Sequence, residues 1–125
     1  MIEPIADLPG NVLGFTARGR VTGSDYESTI IPAVEEAFKH ERKIRFLYHL
    51  GSEFTGFDAA ALWDDAKLGL SHFRGWERIA VVSDKGWIRA ATKAFAFALP
   101  SDIRVFEESE LGNARAWVSA PSDAK

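Results

Sequence analysis

The sequence predicts a single α/β domain with a mixed, mostly parallel five-stranded sheet, in the order β-β-α-β-α-β-α-β-α. Three observations lead there. The 125 residues fit one domain and no more, since domains usually run to ~100–200 residues. Runs of strand length alternate with stretches of helical period after an opening hairpin, and such alternation implies right-handed crossovers between parallel strands. Hydrophobic residues make up 46% and charged residues 26% of the chain, close to the soluble globular average, so a core can form from composition alone.

Ile2 to Ile5 and Val12 to Val21 are β-prone, and Leu8-Pro9-Gly10-Asn11 between them supplies the dihedrals of a tight reversal. In the second strand Leu13, Phe15, Ala17, Gly19 and Val21 alternate onto the core face, with Val12, Gly14, Thr16, Arg18 and Arg20 on the other. Thr22-Gly23-Ser24-Asp25 offers N-caps to a helix whose Tyr26, Ile30, Val34, Ala37 and Phe38 share one side. Pro32 falls inside it and predicts a kink or break, because proline removes an amide donor and crowds the carbonyl four residues back.

Lys43 to Leu50 is apolar enough for a central strand covered on both faces, and Gly51 to Phe57 reads as a loop. Asp58 caps the next helix, where Ala59, Leu62, Trp63, Ala66, Gly69 and Leu70 form the apolar face and Asp64 and Lys67 the polar one. Arg78 to Val82 is a short β-branched strand ended by Ser83-Asp84. Gly86 to Leu99 is helical by period and Pro100 stops it. Ile103 to Phe106 completes the sheet, Leu111 to Ser119 is a last helix, and residues 121–125 follow the domain of residues 1–120 as a small polar tail that should fray.

Composition excludes several kinds of chemistry. No cysteine is present, so disulfides, thiol nucleophiles, cysteine-ligated zinc and iron–sulfur clusters are out. Fifteen Lys plus Arg against eighteen Asp plus Glu give a net charge of −3, which argues against nucleic acid as a partner. The opening Met1-Ile2-Glu3-Pro4 carries an acid where a signal peptide is basic, and no uncharged run approaches the ~18 apolar residues of a membrane span, so a soluble cytoplasmic protein is expected. Neither G-x-G-x-x-G nor G-x-x-x-x-G-K-[ST] occurs, no G-x-S-x-G elbow presents a serine, and no cofactor is implied.

His40, His49 and His72 fall in separate elements without metal-ligand spacing, so no metal site is expected. His49 precedes Asp58 by a loop, and an enzyme built on a His–Asp pair there ranks last of the three functional readings. Asp64 and Asp65 point ~100° apart as neighbours on a helix, which disfavours joint carboxylate chemistry. Asp64 stands instead at i,i+3 from Lys67, the spacing of a surface ion pair.

The segment Lys85 to Leu99 is the most informative. Its apolar residues Trp87, Ile88, Ala91, Phe95, Phe97 and Leu99 cover an arc of about 200°, twice the ~100° that core packing needs. Lys85, Arg89 and Lys93 recur at i, i+4 and i+8 on the opposite side, an acid-free basic row suited to an anionic membrane surface.

Three segments carry a family resemblance: Asp25-Tyr26-Glu27 with Ile31-Pro32 and Val34-Glu35; Ala61-Leu62-Trp63-Asp64-Asp65; and the run from Trp76 through Val81-Val82-Ser83-Asp84 to Gly86-Trp87-Ile88. Together they resemble the bacterial SpoIIAA-like family, which belongs with the STAS domains of anti-sigma-factor antagonists and has been related to lipid-binding CRAL-TRIO domains. The resemblance implies helices packed mainly on one face of the sheet. STAS antagonists that are switched by phosphorylation carry Asp-Ser at the start of the helix after the central strand; the matching pair is Asp58-Ala59, and alanine has no hydroxyl to modify. Ser52 and Thr55 lie near that position but not at it.

The expectation is therefore a non-enzymatic domain that binds a hydrophobic or lipid-like molecule between the helices Asp58 to Leu70 and Trp87 to Leu99. Leu62, Trp63, Trp87, Ile88, Ala91 and Phe95 are expected to line the site, and Lys85, Arg89 and Lys93 to meet anionic lipid in reversible membrane association. The alternative is a protein-binding regulator that contacts its partner through Phe57 and Asp58, as the resemblance to STAS antagonists implies. Aromatic residues at 12% in so small a domain also predict an apolar patch and a homodimer.

Overall fold

The computed structural model describes residues 1–72, 74–97 and 99–121. Strand β1 is Ile2–Pro4 and β2 is Val12–Val21. Helix α1, Gly23–Asp25, passes through a π-helical turn, Tyr26–Ile30, into α2, Ile31–His40. Then follow β3 Ile44–Phe57, α3 Ala59–Ser71, β4 Trp76–Val82, α4 Gly86–Ala96, β5 Asp102–Phe106, a 3₁₀ turn Glu108–Glu110 and α5 Leu111–Ser119. The tail expected to fray lies, beyond Pro121, outside the described residues.

The five strands stand in the sheet in chain order, β1-β2-β3-β4-β5. β1 runs antiparallel to β2, with Ile2 opposite Ala17, and the other three pairings are parallel. Each parallel step requires a crossover, and α1–α2, α3 and α4 supply the three crossovers. The larger core lies on their side of the sheet, where Phe15, Val21, Tyr26, Val34, Ile44 and Phe54 are buried together. A smaller core occupies the opposite face, where Ala114 and Val118 of α5 pack over Val12, Leu47, Ala80 and Val82. The helices thus lie mainly, but not entirely, on one face. Val12, expected on the outer side of β2, is buried beneath α5.

Three local expectations are corrected. Gly51 to Phe57 is not a loop but the second half of β3, because ten-residue β2 needs a partner along its whole length. The pairing continues as Gly19 with Phe54 and Val21 with Phe57, across register shifts. Gly19 at φ 60° and Gly56 at φ 143° take the backbone conformations that these irregularities demand. Pro32 does not break its helix, since the preceding turn is π-helical and the Ile31 amide donates to Tyr26 O, five residues back. A π turn absorbs the missing proline donor in a widened ring of hydrogen bonds. Finally, α4 stops at Ala96 rather than Leu99, and Leu99 turns back to be buried.

Candidate functional site

Helix α3 is launched by Asp58, whose Oδ1 accepts from the Ala61 amide at 2.8 Å and from the Gly23 amide at 3.2 Å. One carboxylate thus caps α3 and pins α1 beside it. Gly23 allows that approach, because a Cβ there would lie 2.6 Å from the Ala60 Cβ. The tethering sets the rotation of α3: Ala61, Asp64 and Leu68 face inward, while Leu62, Trp63 and Leu70 remain more than half exposed. The expected faces of α3 are therefore wrong in large part. Asp64 is buried, with Oδ2 lacking a hydrogen-bond partner, and the ion pair with Lys67 does not form among the described contacts. Lys67 instead holds its ammonium 5.9 Å above the Trp63 ring.

Helix α4 crosses the same side of the sheet. At its far end it approaches α3 closely, where a Cβ on Gly69 would lie 3.1 Å from Phe95 Cζ. Elsewhere the two helices stand apart and leave a cavity of about 250 Å³ over the sheet. Its floor includes Phe46, Tyr48 and Leu50 of β3, Ile79 and Val81 of β4, and Ile103 of β5. Leu62, Asp65 and Ala66 of α3 form one wall; Trp87, Ile88, Ala91, Thr92 and Phe95 of α4 form the other. Trp87 is 51% exposed, although its ring lies 6.2 Å from those of both Phe54 and Phe57. It therefore stands at the rim.

One polar cluster interrupts this apolar lining. The Tyr26 hydroxyl, projecting from the π-helical turn, donates to Asp65 Oδ1 at 2.7 Å and lies 2.9 Å from the Tyr48 hydroxyl. A phenol has one proton, so with Tyr26 committed to Asp65 it is Tyr48 that donates to Tyr26. Burial pushes both phenols above their ordinary pKa, and the neighbouring Asp65 carboxylate pushes in the same direction. Asp65 is accessible to water and lines the cavity, yet protein crowds it on enough sides that its carboxyl is also raised, against the opposing hydrogen bond from Tyr26.

Of the six expected lining residues, Leu62, Trp87, Ile88, Ala91 and Phe95 border this cavity and Trp63 does not. Trp63 is 65% exposed on the outer side of α3, where the inward turn of Asp64 puts it. Tyr26, Tyr48 and Asp65 were not expected. Their only signal in the sequence is a hydroxyl-bearing ring in a largely apolar strand and an acid beside the apolar face of a helix, and neither pattern names its partner. The basic row divides: Arg89 Nη1 donates to the Ser83 carbonyl at 3.0 Å, closing the turn into α4, whereas Lys93 is exposed. Ser83 Oγ also accepts from the Lys85 amide.

Phe57 packs among Tyr26, Tyr48 and Phe54 and borders the cavity, and Asp58 is occupied by its two amides. His49 does not pair with Asp58. Its Nε2 lies 2.5 Å from Glu108 Oε1 and its Nδ1 3.3 Å from Thr16 Oγ1, tying β2 and β3 to the 3₁₀ turn before α5. His40 and His72 pair separately with Glu36 and Glu35. Among the described residues no group of three or more histidines and acids is placed to hold a metal ion, and no helix is long and apolar enough to cross a membrane.

Sheet order, the antiparallel first strand and the helices banked mainly on one face define a STAS-type α/β domain. The SpoIIAA-like family model matches residues 12–119, and the chain belongs to that family. A crystal structure of an uncharacterised Shewanella loihica PV-4 protein with a SpoIIAA-like fold superimposes with a TM-score of 0.75 at 28% identity, covering 94% of this chain and 92% of that one. No curated protein matches the chain.

Proposed function

We propose that this chain is a non-enzymatic bacterial binding domain that takes up a hydrophobic or lipid-like small molecule between α3 and α4 and associates reversibly with membranes. The observation that carries the reading is the cavity of about 250 Å³, apolar over nearly all its lining and open beside Trp87. Ligand pockets of ~300–1,000 Å³ typically combine apolar walls with a few polar anchors, and this one sits just below that range, as suits a small ligand. The exposed apolar residues Leu62, Trp63 and Leu70 on α3, with Trp87 of α4 and Phe97 just beyond it, favour docking of this side on a lipid surface.

Native mass spectrometry of the purified protein, followed by organic extraction, tests the binding reading. A stoichiometric apolar adduct is expected, and it should be absent from Ala91→Trp, whose indole would occupy the cavity. A folded wild-type protein that carries no adduct and takes up no apolar fluorescent probe would sink the reading.

A further inference from the structure

The cavity's hydrogen-bonding groups are arranged to accept rather than donate. Tyr48 gives its proton to Tyr26, and Tyr26 gives its own to Asp65 Oδ1 at 2.7 Å. Trp76 Nε1 donates to the Gly69 carbonyl at 3.3 Å, and Thr92 Oγ1 to the Ile88 carbonyl at 2.8 Å. The Trp87 indole belongs to a half-exposed rim residue with water available to it. Among the described contacts Asp65 Oδ2 accepts from no protein group, and Asp65 and Tyr48 both line the cavity, leaving that oxygen and the lone pairs of the Tyr48 hydroxyl as acceptors. Among the described residues no lysine or arginine lines the cavity.

We propose that the ligand is an uncharged apolar alcohol whose hydroxyl is seated against Asp65 Oδ2 and Tyr48, with its hydrocarbon body between Leu62 and Phe95. The inference rests on the reading of the cavity as a ligand site and adds the chemistry of the ligand's polar end. A hydroxyl has a proton to give, so it donates to Asp65 Oδ2 while Oδ1 accepts from Tyr26. A carboxylate ligand would set acceptors against acceptors and bring a second negative charge into a cavity without a cation. An ester of the same length has no proton to give. Asp65 is open to water in the empty cavity, but a ligand body seated beside it displaces that water, and a head group that cannot donate then leaves the carboxylate unpaired.

The test is a matched series of octan-1-ol, octanoate, methyl octanoate and octylamine, titrated against the full chain at neutral pH by tryptophan fluorescence. Octan-1-ol should bind at least tenfold tighter than octanoate or the ester. Asp65→Leu should remove that preference, and so should the near-isosteric Asp65→Asn, whose amide oxygen keeps the bond from Tyr26 and turns a donor NH2 toward the ligand; the asparagine variant guards against a folding defect in the leucine one. Equal binding of alcohol, acid and ester, all blocked by Ala91→Trp, would overturn the head-group proposal and leave the cavity reading standing. Preference for octylamine would overturn it differently, by making Asp65 the counter-ion of an ammonium. If none of the four binds and Ala91→Trp changes nothing, both fall together.

Discussion

Tyr26 and Tyr48 are the chain's only tyrosines, and their hydroxyls meet 2.9 Å apart at the base of the cavity. Both phenols are held above their ordinary pKa by burial, with Asp65 adding to it; Asp25 acts in the same direction on Tyr48. The folded protein therefore retains phenolic protons that the unfolded chain releases near pH ~10. By linkage, stability is unaffected at neutral pH and declines as pH rises beyond that value, because the unfolded state then binds fewer protons. In an alkaline titration followed at 295 nm, neither tyrosine should ionise before the far-UV circular dichroism is lost, and the two signals should move in one step. A phenolate signal appearing near pH 10 with the fold intact would show that the cluster is open to bulk water.

The elements show how much of a helix's position is decided by its partners. Helix α5 has no basic residue in its own last turn, yet its carboxyl end is capped by two arginines from the sheet. Arg45 Nη1 donates to the Val118 carbonyl at 3.0 Å and also to the Ala120 carbonyl, and Arg78 Nη1 donates to the Trp117 carbonyl at 2.8 Å. Cations at a helix carboxyl end oppose its dipole. Arg45 is 4% exposed and pairs with Glu77 at 2.9 Å, so Arg45→Met leaves the Val118 carbonyl without its donor, only Arg78 at the end of α5, and Glu77 without its partner. Removing one member of a buried pair costs on the order of 3 kcal/mol. Urea unfolding of Arg45→Met should show a loss of that size, and a loss below ~1 kcal/mol would mean that water replaces the guanidinium.

The basic row of α4 divides along the same line, between structure and surface. Arg89 closes a turn on Ser83, so Arg89→Glu should lower thermal stability. Lys85 and Lys93 make no side-chain hydrogen bond among the described contacts, and each basic residue near an anionic bilayer contributes ~1 kcal/mol. Reversing both to glutamate should abolish sedimentation with phosphatidylserine-rich vesicles without shifting the melting temperature, and wild-type binding should weaken as salt screens it. Binding that ignores salt, or an unchanged double variant, would assign the two lysines to solvation alone.

At the scale of the whole molecule, the sheet and its helices were legible because periodicity is a local property. Alternation in β2, the caps Thr22 and Asp58, and the largely apolar run at the start of β3 each report a neighbour-independent preference. The second half of β3 was not legible, since Gly51, Ser52 and Gly56 read as turn residues until the length of β2 demands a partner. The apolar face Trp87, Ile88, Ala91 and Phe95 of α4 was visible in its spacing and forms a cavity wall, but the wider arc was not real, because Phe97 and Leu99, which widened it, lie beyond the helix end at Ala96. The rotation of α3 was not, because Asp58 sets it through an amide 35 residues away, at Gly23. That rotation turns Trp63 outward, buries Asp64 and brings Asp65 to Tyr26. By itself the sequence determined the order of the strands and main helices, the family and the apolar face of α4, all of which depend on residues close together in the chain. Only the tertiary structure decided which polar groups meet inside the cavity, because hydrogen bonds at 2.7 and 2.9 Å join three elements whose relative placement no local preference specifies.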